Sequence, residues 1–418
     1  MEINFETATF KEFENIAGMD PFERAKLFDN YSRFKRQRGQ LNYRFKALSG
    51  CGPEMEMDLL GNKHKSFVSL VSNDYLGFTQ HPKVKQAALA SIEKYGSGAG
   101  ASPAIGGHFS YHENLEQKIA SFFKRDAAIT FTTGYTANSA SLQCMLKKED
   151  LAILDMAVHT SVYEGCQLTN VKTFPHNNLE ALEHVLKSSK DKYRTRMVVI
   201  DGVYSQDGDL APLKEINVLC KMYGAYLMVD DAHGTGVVGK TGRGVIEMHD
   251  LYKEVDIITG TFSKTFAHVG GYLVASPELV HYLKFQSRQH IFSATASPAS
   301  ACISKAIELI DEEPQWMDKL WDNIDYLKTG LSSLGLEIGP TESAIIPVKI
   351  GNHVLNSEIC SMLLEAGVYT NQINYPAVSK KDARIRMSVM ASHDHSQLNK
   401  VLNAWEWVIS KKEIPLNK

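Results

Sequence analysis

Short apolar segments alternate with longer amphipathic segments from about Ser66 onward. This alternation is typical of parallel β-strands that are joined by crossover helices. A helix is predicted over the segment that opens at Pro82 and stops at Gly96. We predict strands in six apolar runs, at 127–131, 151–155, 197–201, 225–230, 256–260 and 271–276. The pattern indicates an α/β fold with a large, mostly parallel sheet, and ligands of such sheets bind beyond the carboxyl ends of the strands.

The pattern changes after about Ser293, where a long helical stretch is followed by strands near 344–350 and 384–390 and by a last helix from about Ser396. At 418 residues the chain exceeds the length at which a single core usually stops growing. We therefore predict an N-terminal arm at 1–60, a large ligand-binding domain at 61–292 and a smaller C-terminal α+β domain at 293–418.

Composition and charge narrow the classes of function. Hydrophobic residues make up 44% of the chain and charged residues 22%, as in ordinary globular proteins. A net charge of −3 provides no basic field for a phosphate backbone, so we expect no nucleic-acid partner. The six cysteines contain no C-x-x-C pair, which favours a reduced, cytoplasmic protein. No run approaches the roughly 18 to 20 apolar residues of a transmembrane segment, although peripheral contact with a membrane stays compatible with the sequence.

Two motifs suggest other chemistry. Residues 234–241 read GTGVVGKT and match the phosphate loop of nucleotide triphosphatases, in which Lys240 would contact phosphate. That loop requires a helix to begin at its Lys-Thr, whereas Gly242 and Gly244 follow at once and disfavour one. His108 and His112 stand four residues apart, but no third ligand accompanies them, so we predict structural roles for both and no metal site.

The segment GTFSKTF at 260–266 places Lys264 just after a predicted strand, next to the hydroxyls of Thr261 and Ser263. A lysine in this setting can form an imine with an aldehyde cofactor, and neighbouring hydroxyls suit a phosphate. The same spacing also occurs in ordinary surface loops, so the segment alone is only suggestive.

The predicted strand at 225–230 ends at Asp230, and His233 follows three residues later in a loop. A pyridine that acts as an electron sink needs a carboxylate against its ring nitrogen and a polar group near its phenolic oxygen. Asp230 and His233 fit these two tasks, although an acid at a strand end can also serve only as a loop cap.

Three further strand ends suit the same ligand. Thr133, Gly134 and Tyr135 enter a predicted helix, and a helix N-terminus with a glycine and hydroxyls binds anions through its backbone amides. His159 follows another strand, where its ring could stack on a pyridine, and Ser205 is the hydroxyl that follows the strand at 197–201.

Taken in the order in which they follow one another along the chain, the motifs resemble those of the α-oxoamine synthases, a family of fold-type I pyridoxal-phosphate enzymes. The resemblance runs from about Phe67 to the C-terminus and rests on the His159 loop and on SNDYLGFTQHP, TTGYTAN, DGVYSQDGDLAPL, VDDAHGTGVVG, GTFSKTF and RIRMSVMASH. It implies a pyridoxal-phosphate-dependent acyltransferase that joins an amino acid to an acyl thioester with loss of CO2. The acyl donor would be acyl-coenzyme A or acyl carrier protein.

The resemblance also implies residue roles. Lys264 would hold the cofactor as an imine and move the Cα proton, Asp230 would pair with the ring nitrogen, and His159 would stack on the ring. His233 and Ser205 would contact the phenolic oxygen. The residues expected around the cofactor are Thr133, Gly134, Tyr135, Thr261 and Ser263, and those expected at the substrate are Asn73, Tyr75 and Arg386. The family forms homodimers with a shared active site, in which Ser293 and Thr295 would reach the partner's phosphate.

Within the family, GTFSKTF and FSATASPAS are most similar to bacterial serine palmitoyltransferases, which act in sphingolipid synthesis, and DDAHGTGVVG is more similar to 8-amino-7-oxononanoate synthase. Where serine palmitoyltransferases have Gly-Ser-Arg, this chain has Ala101-Ser102-Pro103. This difference puts serine as the substrate in question, and the alternatives are a cysteate acyltransferase of sulfonolipid synthesis, 8-amino-7-oxononanoate synthase and 2-amino-3-ketobutyrate ligase. The sequence also leaves three other classes of protein open, namely a fold-type I aminotransferase, a non-catalytic partner subunit of such an enzyme, and a nucleotide triphosphatase.

Overall fold

The computed structural model describes residues 3–59 and 66–416. The chain forms two compact units. The central unit comprises Asn73–Leu320, and the terminal unit comprises Met1–Ser72 together with Trp321–Lys418.

The helices and strands are numbered along the chain. The helices are α1 (Pro21–Gln37), α2 (Pro82–Tyr95), α3 (Ser110–Phe122), α4 (Gly134–Met145), α5 (Thr160–Gly165), α6 (Leu179–Ser188), α7 (Leu213–Tyr223), α8 (Gly244–Met248), α9 (Pro277–Gln286), α10 (Arg288–Ile291), α11 (Cys302–Glu312), α12 (Gln315–Ser333), α13 (His353–Glu365) and α14 (His395–Lys411). The strands are β1 (Glu54–Glu56), β2 (Ser66–Ser69), β3 (Ala127–Phe131), β4 (Leu151–Asp155), β5 (Asn170–Phe174), β6 (Arg196–Asp201), β7 (Tyr226–Asp230), β8 (Ile257–Thr261), β9 (Gly271–Ala275), β10 (Ile345–Lys349), β11 (Val368–Tyr369), β12 (Asn371–Ile373) and β13 (Arg384–Ser388).

The central unit is built on a seven-stranded sheet in the order β3-β9-β8-β7-β6-β4-β5. The strands from β8 to β5 are parallel, and β9 is antiparallel to both of its neighbours. All six predicted strands are present, and β4, β6, β8 and β9 are buried at every position, as apolar runs covered on both faces require. The α/β prediction is confirmed.

Strand β5 was not predicted. It lies at the edge of the sheet, and its first residues, Asn170 to Thr173, are exposed or half-buried. An edge strand that is covered incompletely needs no apolar run, so the sequence carried no apolar signal for it.

The helix signals agree with the structure at two informative points. Helix α2 begins at Pro82, and Gly96 caps it with a positive φ of 85°. Residues 234–243 form turns and bends that are closed by a bridge between Thr235 and Arg243, and the short helix α8 begins only at Gly244. The phosphate-loop alternative therefore lacks the helix at Lys240 that its mechanism requires.

The terminal unit contains two small sheets, β10-β13-β12 and β1-β2-β11. The predicted boundaries at 60 and 292 differ from the division of the units at 72 and 320. The early chain belongs with the C-terminal elements because, for example, Asn42 donates to Gln372 at 2.9 Å and to the carbonyl of Ser357 at 3.1 Å. Helix α11 belongs with the central unit because it packs on α2 and α3.

Candidate active site

The carboxyl ends of the parallel strands surround a cavity of about 220 Å³ in the central unit. The register places Asp201 of β6 beside Asp230 of β7, and Asp230 beside Thr259 of β8. The cavity is lined by Thr133, Gly134, Tyr135, Asn138, His159, Asp201, Val203, Ser205, Asp230, Ala232, His233, Gly260, Thr261, Ser263 and Lys264. Every residue that was predicted to contact the cofactor from strand ends β3, β4, β6, β7 and β8 is in this set.

The carboxylate of Asp230 is buried and held in one orientation. Its Oδ2 accepts a hydrogen bond from Asn138 Nδ2 at 2.6 Å, and its Oδ1 accepts one from the backbone N–H of Ala232 at 3.0 Å. Asn138 is itself fixed, because it donates to Ser161 Oγ at 3.0 Å and accepts from Thr259 Oγ1 at 2.8 Å. This network points a preorganised negative charge at the cavity.

The loop that carries Lys264 is braced on both sides. Before it, Thr261 Oγ1 donates to the carbonyl of Gly270 at 3.0 Å and accepts from the backbone N–H of Ser263 at 3.2 Å. After it, Thr265 Oγ1 donates to the buried carbonyl of Thr235 at 3.0 Å. These contacts direct the lysine into the cavity, which it lines.

The N-terminus of α4 forms the wall next to this loop. Thr133 caps the helix by accepting from the backbone N–H of Thr136 at 3.0 Å. Gly134 is required here because a Cβ at this position would lie 2.6 Å from the Cβ of Thr261. The helix amides and the hydroxyls of Thr133, Thr261 and Ser263 together form the kind of site that binds phosphate.

His159 occupies the wall that follows β4. Its Nδ1 lies 2.8 Å from Ser161 Oγ, and the ring of Tyr135 meets it edge-on at 5.8 Å. Burial lowers the pKa of His159, so the imidazole is neutral near pH 7. A neutral, fixed ring at this place can stack on a flat cofactor.

His233 is oriented by Tyr75, which is fully buried. The hydroxyl of Tyr75 lies 2.6 Å from His233 Nδ1 and 3.3 Å from Asn73 Oδ1. Two of the residues expected at the substrate therefore join a residue of the cavity through one short chain of contacts.

The other predicted residues lie elsewhere. Ser293 and Thr295 follow α10 in the central unit and do not line this cavity; Thr295 Oγ1 donates to the carbonyl of Gly107 at 2.7 Å. Arg386 belongs to the terminal unit, on β13 between β10 and β12, where its Nη1 donates to Ser388 Oγ at 3.0 Å. His112 has a structural role, because its ring nitrogens contact the backbone N–H of Phe109 and the carbonyl of Ala296, each at 3.0 Å.

The sequence reasoning missed Asn138 and Asp201. Asn138 lies one turn after Gly134 on α4, so the helical repeat could have placed it on the same face. Asp201 ends β6, as Asp230 ends β7. Burial and the nearby charge of Asp230 raise the pKa of Asp201 well above its usual range.

The cavity fits pyridoxal phosphate on its own chemistry. It offers an amine in Lys264, a buried carboxylate in Asp230, a flat neutral ring in His159 and a hydroxyl-rich helix N-terminus, which are the groups that an imine, a pyridine nitrogen, a ring face and a phosphate require. The glycine at position 134 allows Thr261 to lie closer to the helix N-terminus than a side chain at that position would permit.

Comparison with known proteins agrees with this site. The model of the aminotransferase class I and II family matches residues 65–404, and the chain belongs to that family. Within it the chain is an α-oxoamine synthase, as two groups of relatives show. It is 42% identical to 8-amino-7-oxononanoate synthase of Thermoanaerobacter pseudethanolicus over 82% of this chain and 88% of the relative. It is 35% identical to serine palmitoyltransferase of Bacteriovorax stolpii over 93% and 92% of the two chains.

The solved structures show the same relationship. Serine palmitoyltransferase of Sphingomonas wittichii superposes with a TM-score of 0.89 at 30% identity, covering 95% of this chain and all of that chain. The enzyme from S. paucimobilis with a bound pyridoxal-phosphate–myriocin aldimine gives a TM-score of 0.88 at 30% identity, over 93% and 98% of the chains. The protein is therefore a pyridoxal-phosphate-dependent acyltransferase. Across residues 3–59 and 66–416, no helix combines the length and the apolar character needed to cross a membrane.

Proposed function

We propose that the protein condenses a small amino acid with a long-chain acyl thioester, with loss of CO2, as serine palmitoyltransferases do in sphingolipid-type lipid synthesis. The observation that carries this proposal is the extent of the similarity. The match to the Bacteriovorax enzyme covers 93% of the chain, whereas the match to the Thermoanaerobacter synthase covers 82%. The larger share of the chain that the Bacteriovorax enzyme matches supports a serine palmitoyltransferase-type enzyme.

Lys264 is proposed to move the proton at the Cα atom of the amino acid. Pyridoxal phosphate, when bound, supplies the electron sink for this step. Asp230 would place its carboxylate at the ring nitrogen, and the hydrogen bonds from Asn138 and the amide of Ala232 hold that carboxylate in its orientation. His159 would cover one face of the ring, and Tyr75, whose hydroxyl lies 2.6 Å from His233 Nδ1, would orient His233 for contact with the phenolic oxygen.

The remaining roles concern the substrate and the assembly. Arg386 is proposed to bind the carboxylate of the amino acid, because its planar fork matches a carboxylate with two hydrogen bonds. The enzyme is proposed to act in the cytoplasm as a homodimer, with Ser293 and Thr295 of one subunit at the cofactor phosphate of the other. The acyl donor is proposed to be acyl-coenzyme A, with acyl carrier protein as the alternative.

A second candidate is an 8-amino-7-oxononanoate synthase, which the 42% identity to the Thermoanaerobacter enzyme favours. That product has a methyl group and an amine beside its ketone, so its amino acid is alanine. Cysteate acyltransferase and 2-amino-3-ketobutyrate ligase activities remain further alternatives, because Ala101-Ser102-Pro103 replaces the Gly-Ser-Arg of serine palmitoyltransferases.

The test measures the visible absorption of the holoenzyme during titration with serine, alanine, glycine and cysteate. Each amino acid is then combined with a long-chain acyl-coenzyme A or with the dicarboxylic acyl-coenzyme A that supplies the remaining carbons of 8-amino-7-oxononanoate, and release of free thiol is followed. We expect serine to change the spectrum and to support thiol release with the long-chain donor. A spectral change with alanine, and thiol release only from alanine with the dicarboxylic donor, would instead establish the second candidate. Keto-acid formation without thiol release would identify an aminotransferase and refute both.

A further inference from the structure

A histidine outside the cavity, His176, lies between two carboxylates of the central unit. Its Nδ1 is 3.1 Å from Asp155 Oδ1, and its Nε2 is 2.8 Å from Asp209 Oδ2. A carboxylate only accepts hydrogen bonds, and a neutral imidazole has a single N–H. Contact with both carboxylates therefore requires the doubly protonated, positively charged ring. Burial lowers the pKa of His176, but the hydrogen bonds to Asp155 and Asp209 outweigh this effect and raise the pKa to about 10.

The local sequence fixes where this ring lies. Strand β5 ends at Phe174, and Asn177 adopts a left-handed conformation with φ of 54°. The backbone N–H of Asn177 donates to Asp155 Oδ2 at 2.8 Å, and Asn178 then caps α6. This turn directs His176 over the carboxyl end of the neighbouring strand β4.

Each carboxylate belongs to a segment that forms a wall of the cavity. Asp155 ends β4, four residues before His159, and its Oδ1 accepts from the backbone N–H of Ala157 at 2.8 Å. We call residues 202–211, which follow β6, the serine loop because they carry Ser205.

The serine loop is closed on itself and is held at one end by Asp209. The backbone N–H of Tyr204 donates to the carbonyl of Asp209 at 3.0 Å, and Val203 pairs with Leu210. Val203 and Ser205 line the cavity. His176 thus joins, from outside, the segment that leads to His159 and the loop that carries Ser205.

We propose that His176 is a positioning residue whose positive charge holds the serine loop and the β4–α5 segment at the spacing that the cofactor requires. Removing the cation leaves the carboxylates of Asp155 and Asp209 facing each other across the space of the ring and its two hydrogen bonds, and their uncompensated repulsion then moves the serine loop away from the cavity. Partners of this kind, which orient the groups that touch a ligand, typically change affinity about 10- to 100-fold when they are removed, as in the outer shells of metal sites.

The experiment compares His176→Gln with His176→Arg, which keeps a cation with several donors. The matched control is His395→Gln, because His395 also contacts a carboxylate, that of Asp322 at 2.9 Å, but at an exposed site. Two quantities are measured: hydrogen exchange of the serine loop in the apoprotein, and the dissociation constant of pyridoxal phosphate by fluorescence. We expect His176→Gln to increase exchange within 202–211 and to weaken cofactor binding at least about tenfold. His176→Arg should restore part of both, and His395→Gln should change neither.

Three results would overturn the proposal. In the first, His176→Gln changes hydrogen exchange and cofactor binding no more than His395→Gln does; in the second, His176→Arg loses as much as His176→Gln. In the third, hydrogen exchange rises as much in β4 and β6 as in the serine loop, which would indicate a general stabilising role. If His176→Gln does not fold, Asp209→Ala replaces it, because this change keeps His176 and Asp155 together while removing the oxygen of the serine loop that contacts His176. Faster exchange of the loop is then expected, and unchanged exchange rejects the proposal.

Discussion

Replacement of Asp230 by asparagine separates the charge of this residue from its shape. Asp230 accepts from Asn138 Nδ2 at 2.6 Å and from the N–H of Ala232 at 3.0 Å. The amide of Asp230→Asn can still accept from Ala232, but its NH2 group would face the NH2 group of Asn138. Asn138 can turn over, because the hydroxyl of Thr259, 2.8 Å from it, can accept as well as donate. The fold should therefore lose at most about 1–3 kcal/mol.

Catalysis should lose much more, because the negative charge at the ring nitrogen is removed. Loss of one preorganised electrostatic partner typically costs about 10²–10³ in kcat, or roughly 3–4 kcal/mol. The assay is thiol release at saturating substrates by the loaded enzyme, with cofactor content and thermal melting measured in parallel. Asp29→Asn, at an exposed site on α1, is the matched control and should have no effect. Turnover of a folded, loaded Asp230→Asn enzyme within about threefold of the wild type would falsify the assignment of the electron-sink partner.

Three further changes test other parts of the site and the fold. Gly134→Ala places a Cβ 2.6 Å from Thr261 Cβ, which overpacks the N-terminus of α4 by about 1–3 kcal/mol. Pyridoxal-phosphate binding, measured by fluorescence titration, should weaken about tenfold or more. Unchanged binding would show that the N-terminus of α4 accommodates the extra methyl group. Tyr75→Phe removes the 2.6 Å contact with His233 and should shift the cofactor absorption and lower kcat, with only about 1 kcal/mol lost in urea unfolding; an unchanged spectrum would contradict the proposed orientation. Burial lowers the pKa of His393 to about 4, below the value of about 6.5 in the unfolded chain. The contribution of His393 to the free energy of unfolding is therefore complete above about pH 6.5 and is lost as the pH falls toward 4. This loss should reach about 3 kcal/mol. Urea unfolding of the wild type and of His393→Gln at pH 7 and 4.5 checks this, and equal pH dependence of the two proteins would exclude His393 as the cause.

Much of the site could be predicted because strand ends and caps are local features. The apolar runs located β7 and β8, and Asp230 and Lys264 could therefore be assigned to loops at one edge of the sheet from the order of residues alone. Asn138 escaped notice because α4 also buries other polar residues, such as Ser139 and Ser141, and a helix buried on several sides shows no polar face that singles out one of them.

The sequence by itself determined the fold class, most of the strands of the central sheet, the cofactor and the set of strand-end residues around the cavity. These follow from periodicity, capping and motif order, which depend on residues only a few positions apart. Only the tertiary structure decided that Asn138 orients Asp230, that Tyr75 meets His233, and that His176 lies between Asp155 and Asp209. It also grouped the early chain with the C-terminal elements. Such pairs are often tens to hundreds of residues apart, and packing of the whole chain, not any local pattern, brings their atoms within hydrogen-bonding distance.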